Sequence, residues 1–142
     1  MRALIARLWA KVYEPKRIPV VFFTGYVLIA ALAFWALTEP PLSVLGDIGP
    51  IVTAGIAILL LLGAALAAYS APSGWYALER VGIGFMSLGV GGYVVATAYA
   101  HFTSEGSRAM QLAGLTVGLV MLISRAVVTW GHDWAPREAR IV

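Results

Sequence analysis

"IGPIVTAGIAILLLLGAALAAYSAPSGWYAL", Ile48 to Leu78, carries no charged side chain. A hydrocarbon core of about 30 Å is crossed by roughly 20 apolar residues in a helix. The stretch is therefore long enough to span a membrane and too long to do so as one helix. Pro72 and Gly74, within "SAPSGWY", break the helical pattern. The reading is a helix from Pro50 to about Ala71, with proline suited to its first turn. Trp75 and Tyr76 then fall at a membrane interface.

Three further neutral intervals lie on either side: residues 18–38, 81–100 and 109–124. The first two suffice as spans. The last reaches spanning length by taking in Ser107 and Arg108 at one end and residues 126–128 at the other, provided that Arg125 snorkels to the headgroups. The composition agrees with this reading: 61% hydrophobic, 12% charged, mean hydropathy +0.85. Such values lie far from those of soluble domains. "EPPLSVLGDIGP", "SAPSGWY" and "HFTSEGSR" read as short connections, the last with Ser107 as N-cap. Short connections make neighbouring helices antiparallel. The expected fold is all-α, four transmembrane helices in an up-and-down bundle over residues 18–130. An interfacial segment and elbow (1–17) precede the bundle, and a cytoplasmic tail (131–142) follows it.

The first span reads as a retained anchor, since it exceeds a usual secretory h-region and no small-residue cleavage site follows it. Orientation comes from the cations. Arg2, Arg7, Lys11, Lys16, Arg17, Arg80, Arg125, Arg137 and Arg140 fall on one predicted side and only Arg108 on the other. The positive-inside rule puts both termini in the cytoplasm of a cell whose inner membrane the chain crosses repeatedly.

Before the first span, Ile5, Leu8, Trp9 and Val12 recur at helical spacing, with Arg7 and Lys11 on the opposite face. This pattern predicts an amphipathic helix lying in the inner leaflet against anionic lipid. Pro15 and Pro19 disfavour helix at Glu14 and Ile18, so "YEPKRIP" reads as an elbow. "WGHDWAPREAR" repeats the device at the other end. The expected interface anchors are Arg7, Trp9, Lys11, Tyr13, Lys16, Arg17, Trp75, Arg125, Trp130, Trp134 and Arg137.

The chain has no cysteine, which removes disulfides, thiolate metal sites and a cysteine nucleophile. Its two histidines, His101 and His132, fall at opposite predicted faces, so no cofactor or metal is expected. No Ser-His-Asp set or acid pair shares one face, and the expectation is a protein that is not an enzyme. Every ionisable group lies at or near a predicted helix end, which leaves a transporter without a midplane site. Glu79 and Arg80 read as interfacial charges at a helix start. The net charge of +3 is distributed as topology requires, with no nucleic-acid motif beside it.

Glycine is the informative residue within the spans, because in lipid small residues let helices approach closely. Gly63 and Ala67 in the second helix, Gly84, Gly91 and Gly92 in the third, and Gly114 and Gly118 in the fourth are the expected packing positions. They would serve the bundle itself or a homo-oligomer.

The phrases "KVYEPKRIP", "PPLSVLGDIGP", "GWYALER" and "HFTSEGSRAMQ" together resemble a group of small four-helix membrane proteins of actinobacterial phages, often labelled holin-like. The resemblance covers nearly the whole chain. Ser73 interrupts that group's Pro-Gly-Trp, and "DWAPRE" replaces its aromatic-Glu-Pro-Arg ending. It implies accumulation in the host cytoplasmic membrane, glycine-mediated clustering and a lesion that contributes to lysis. The competing expectation is a non-catalytic anchor or accessory subunit that docks a partner protein.

Overall fold

The computed structural model describes residues 17–40, 46, 48–103 and 107–130. Among these the chain is all-helical. Four helices are long and apolar enough to cross a membrane: α1 (Arg17–Thr38), α2 (Pro50–Ser70), α3 (Tyr76–Thr103) and α4 (Ala109–Thr129). The expected amphipathic segment, most of the elbow, the tail and half of the first connection lie outside the described residues.

Most boundaries follow the sequence reading. Pro50 opens α2, where its missing N–H costs no hydrogen bond. The helix ends one residue early, with Ala71 as its C-cap. In the turn that follows, Gly74 adopts φ +73°, a conformation that a residue with a Cβ avoids. The Ser73 hydroxyl donates to the Ser70 carbonyl at 3.0 Å, and the Trp75 N–H donates to the same oxygen at 3.3 Å. Two boundaries differ. The N-cap of α4 is Arg108 rather than Ser107, whose Oγ accepts from the Ala109 N–H at 3.4 Å. Helix α3 extends over 28 residues and takes in Glu79 and Arg80, which the neutral interval had left outside.

Packing runs from each helix to the next in sequence: α1 on α2, α2 on α3, α3 on α4. The α2–α3 contact is the most intimate. A Cβ built on Gly63 would lie 2.6 Å from the Gly82 carbonyl oxygen, and one on Gly82 would lie 2.6 Å from that of Gly63. Ala67 borders the same contact, and farther along Gly89 meets Leu60. Position numbers fall along α2 as they rise along α3, so the two helices are antiparallel. The same holds for α3 and α4, where Tyr93 meets Gln111 at one end and Glu79 meets Arg125 at the other.

On α2 the inner face is built of small side chains and the outer face of large ones. Ala57, Ala64, Ala67 and Ala71 of α2 are buried, whereas its Ile51, Leu62 and Tyr69 are exposed. This arrangement suits lipid, in which helix association rests on close packing and not on hiding apolar area. Helix α4 is the least covered of the four. Leu112, Leu115, Leu119, Leu122, Ala126 and Thr129, at alternating spacings of three and four, form its inner seam, and most of the rest is exposed.

Candidate functional site: a buried ion pair shared by three helices

The tight turn after α2 starts α3 at Tyr76, and Glu79 follows one turn later. The side chain of Glu79 is fully buried, Tyr26 of α1 is 2% exposed and Arg125 of α4 is 6% exposed. The Arg125 Nε donates to Glu79 Oε1 at 2.9 Å and its Nη2 donates to Oε2 at 3.1 Å, a fork that matches the carboxylate edge to edge. The Tyr26 hydroxyl donates to the same Oε1 at 2.9 Å. Above the guanidinium lies the Phe22 ring, its centroid 4.2 Å from Arg125 Cζ, so one face of the cation is covered by π-electron density. The two rings of α1, Phe22 and Tyr26, are 6.1 Å apart.

The group is neutral as a unit. An isolated charge in hydrocarbon is costly, whereas an opposite charge at hydrogen-bonding distance offsets much of that cost. Neighbouring hydroxyls are satisfied within their own helices. Ser70 donates to the Leu66 and Ala67 carbonyls, and Thr129 donates to those of Arg125 and Ala126. Both oxygens of the Glu79 carboxylate are engaged, so the arrangement ties α1, α3 and α4 together.

Two of these placements correct the sequence reading. Arg125 turns inward instead of snorkelling to the headgroups, because Glu79 and Phe22 offer it partners inside. Glu79 is an interior residue and not an interfacial charge beside Arg80. Arg80 instead stacks over Trp130, 5.8 Å from the ring centroid, at the same end of the α3–α4 pair. Trp130 and Trp75 are exposed. Of the other expected anchors, Arg7, Trp9, Lys11, Tyr13, Lys16, Trp134 and Arg137 lie outside the described residues, as does the side chain of Arg17.

The expected packing positions divide into two sets. Gly63 and Ala67 are at the α2–α3 contact, and Gly92 is grazed by Ile56 at 3.9 Å. A Cβ on Gly84, Gly91, Gly114 or Gly118 would meet nothing within 4 Å. Among the described residues these four face open space. Gly118 and Arg125 are seven residues apart and share a face of α4, so the open glycine flank continues on the side that carries the ion pair.

At the far end of α3 and α4, Gln111 Nε2 donates to the Tyr93 hydroxyl at 2.7 Å and the Arg108 N–H donates to His101 Nδ1 at 3.1 Å. The α3–α4 pair is thereby fixed at both ends. Among the described residues no three His, Asp or Glu side chains gather as a metal ion would need. Comparison of the chain with protein-family models, with curated proteins and with solved structures gave no match.

Proposed function

We propose that the chain is a holin-like membrane protein that assembles with copies of itself in the cytoplasmic membrane of a phage's bacterial host and contributes to lysis. In this reading the four helices form an up-and-down bundle with both termini in the cytoplasm, held to anionic lipid of the inner leaflet by their cations. The observation that carries it is the unused flank of α4. Gly114 and Gly118 stand one turn apart on a membrane helix, open, and surrounded by exposed Met110, Val117 and Met121. Such a face admits a helix of a second copy at close range.

The test is inducible expression in an actinobacterial host with membrane potential and viability followed in single cells. The expected result is abrupt depolarisation after a silent delay, abolished when Gly114 and Gly118 are both replaced by leucine. Steady growth at a normal potential, with the protein abundant in the membrane, refutes the reading.

A second reading, a non-catalytic anchor or accessory subunit that docks a partner protein, draws support from a different observation. The described surface of each span is mostly apolar and its exposed polar side chains, such as Thr24, Gln111, Thr116 and Ser124, are uncharged, while Glu79 and Arg125 are turned inward. A protomer in this conformation has no polar stripe with which to line a wet path. Normal growth at high expression, with one partner recovered reproducibly after cross-linking in membranes, is the outcome that favours it.

A further inference from the structure

We propose that the Glu79–Arg125 pair is a latch: it holds α1 and α4 closed over the polar groups that line the aqueous path in the assembled state. The inference rests on the lesion-forming reading and names the residues on which the lesion depends.

A water-filled opening needs polar groups along its wall. The exposed faces supply chiefly Leu28, Leu32, Leu62, Leu88, Val95 and Val117, which water does not wet, and the few exposed polar side chains among them are uncharged, with the Thr24 and Ser124 hydroxyls donating to their own helices. The ionised side chains within the described spans that are turned away from that surface are Glu79 and Arg125, with the Tyr26 hydroxyl beside them. A lesion built from this chain must therefore bring them to its wall.

The joints between helices determine how that can happen. The Gly63–Gly82 contact seats backbone against backbone, so α2 and α3 are one body. Helix α1 is joined differently. Among the described residues no Cα of α1 comes within 8 Å of one in α3 or α4. What links α1 to these two helices is a set of side chains: the Tyr26 hydroxyl on Glu79 and the Phe22 ring on Arg125. Helix α4 is seated on α3 by a single seam, by the Tyr93–Gln111 bond at the far end, and at the near end by the Arg80–Trp130 stack and the same ion pair. If the pair opens, α1 and α4 can part on the side where Gly114 and Gly118 leave room.

Opening the pair in dry lipid would strand two charges. A second copy removes that obstacle, because Arg125 of one protomer can exchange its own Glu79 for the identical residue of the next. The number of ion pairs is unchanged by such an exchange, as in a domain swap. The closed protomer is thus stable alone and convertible in company, which is the behaviour of a device that waits for a threshold concentration.

The experiment compares the delay before depolarisation in single cells at matched membrane levels. Tyr26→Phe, which loosens the closed protomer and leaves the pair free to exchange, should shorten it several-fold. Glu79→Gln, which removes the pair from the closed and the exchanged state alike, should lengthen it or abolish depolarisation, and the charge-exchanged double variant Glu79→Arg/Arg125→Glu should return it toward that of the parent. Tyr26→Phe leaves the ion pair in place, which keeps the test decisive if Glu79→Gln does not accumulate. A second readout uses the absence of native cysteine. Thr129 is 1% exposed and bonded only within its own helix, so Thr129→Cys is a mild probe one turn from Arg125. In inverted membrane vesicles its thiol should be protected from a charged thiol reagent before depolarisation and labelled after it. If the parent never depolarises cells, the lesion reading falls and the latch with it. If the parent does so, but Glu79→Gln and Tyr26→Phe leave the delay unchanged and the thiol stays protected, the latch alone is refuted.

Discussion

Replacing Glu79 by glutamine tests whether the ion pair holds the closed protomer together. Glutamine keeps the shape of the side chain but carries no charge and has one acceptor oxygen. If that oxygen takes the place of Oε1, it can still accept from Tyr26 and from Arg125 Nε. Its NH2 then faces Arg125 Nη2, donor against donor, where the carboxylate had accepted at 3.1 Å. Breaking a buried pair by removing one partner costs about 3–5 kcal/mol in soluble proteins. Two features lower that figure here. Arg125 lies four residues from the end of α4, about 6 Å along the axis, and once released it can snorkel toward the headgroups. The Phe22 ring also remains over the cation. The expected loss is about 2–4 kcal/mol, well above the roughly 0.6 kcal/mol of an average interhelical hydrogen bond in a membrane protein. The assay is reversible unfolding in mixed micelles for Glu79→Gln, Arg125→Gln and the double variant. Both single changes leave an orphaned partner and the double change leaves none. The double variant should therefore lose less than the two singles combined, by about 2 kcal/mol or more. A coupling below about 0.5 kcal/mol would show that the two charges do not hold the helices together, and would remove the physical basis of the latch.

Gly82→Ala should drive a methyl group against the Gly63 carbonyl oxygen and destabilise the protein by about 1–3 kcal/mol, as overpacking does, whereas Gly84→Ala, which meets nothing within 4 Å, should change stability by no more than about 1 kcal/mol; thermal unfolding in detergent distinguishes the two. Gly114→Leu combined with Gly118→Leu should leave the unfolding of the protomer nearly unchanged and reduce oligomer size in cross-linking and light scattering, since both positions are open within the chain. Cysteines at Ser43 and Ser104 should react with an impermeant reagent from outside the cell and one at Glu138 should not; the reverse pattern overturns the orientation.

The spans were legible because their signal is local: long neutral runs, a proline where α2 begins, and a proline and a glycine where it ends. The glycines were harder to read for a geometric reason. Gly82 and Gly89 are seven residues apart on α3, and so are Gly84 and Gly91. Both pairs satisfy the same helical spacing, yet the first meets α2 and the second faces open space. Periodicity marks a face without saying which neighbour it meets, so reciprocity with Gly63 became visible only in the fold.

The ion pair escaped for a different reason. Treating charges as the limits of spans places every one of them at an interface, and that rule works for an isolated cation. It fails where topology supplies the opposite charge. Glu79 and Arg125 are 46 residues apart in sequence, but one stands just inside the start of α3 and the other just inside the end of α4. In antiparallel neighbours those two ends coincide. An acid and a base at matching depths on adjacent helices was therefore a readable signal, and so was a tyrosine in the apolar run of α1.

The chemistry of the pair also bears on why the chain would keep it. A buried salt bridge is a poor means of gaining stability, since well-packed apolar residues of similar volume often do as well or better. Leucine and methionine were available at these positions and would have suited the surrounding lipid. What a charge pair adds is discrimination among arrangements: every register or helix placement that separates Glu79 from Arg125 is penalised, and the one that joins them is not. The α2–α3 contact needs no such device, because Gly63 and Gly82 already fix it backbone to backbone. The pair is found instead on the seam of α3 with α4, and through the Tyr26 hydroxyl it reaches α1, which has no close backbone contact with either helix. A bond that specifies one state without deeply stabilising it can be exchanged, and the same two residues can then specify a second state between copies. Substituting Glu79 and Arg125 together by leucine and methionine separates the two roles. A protomer that stays folded and as stable as the parent, but no longer depolarises cells, is the outcome this argument requires.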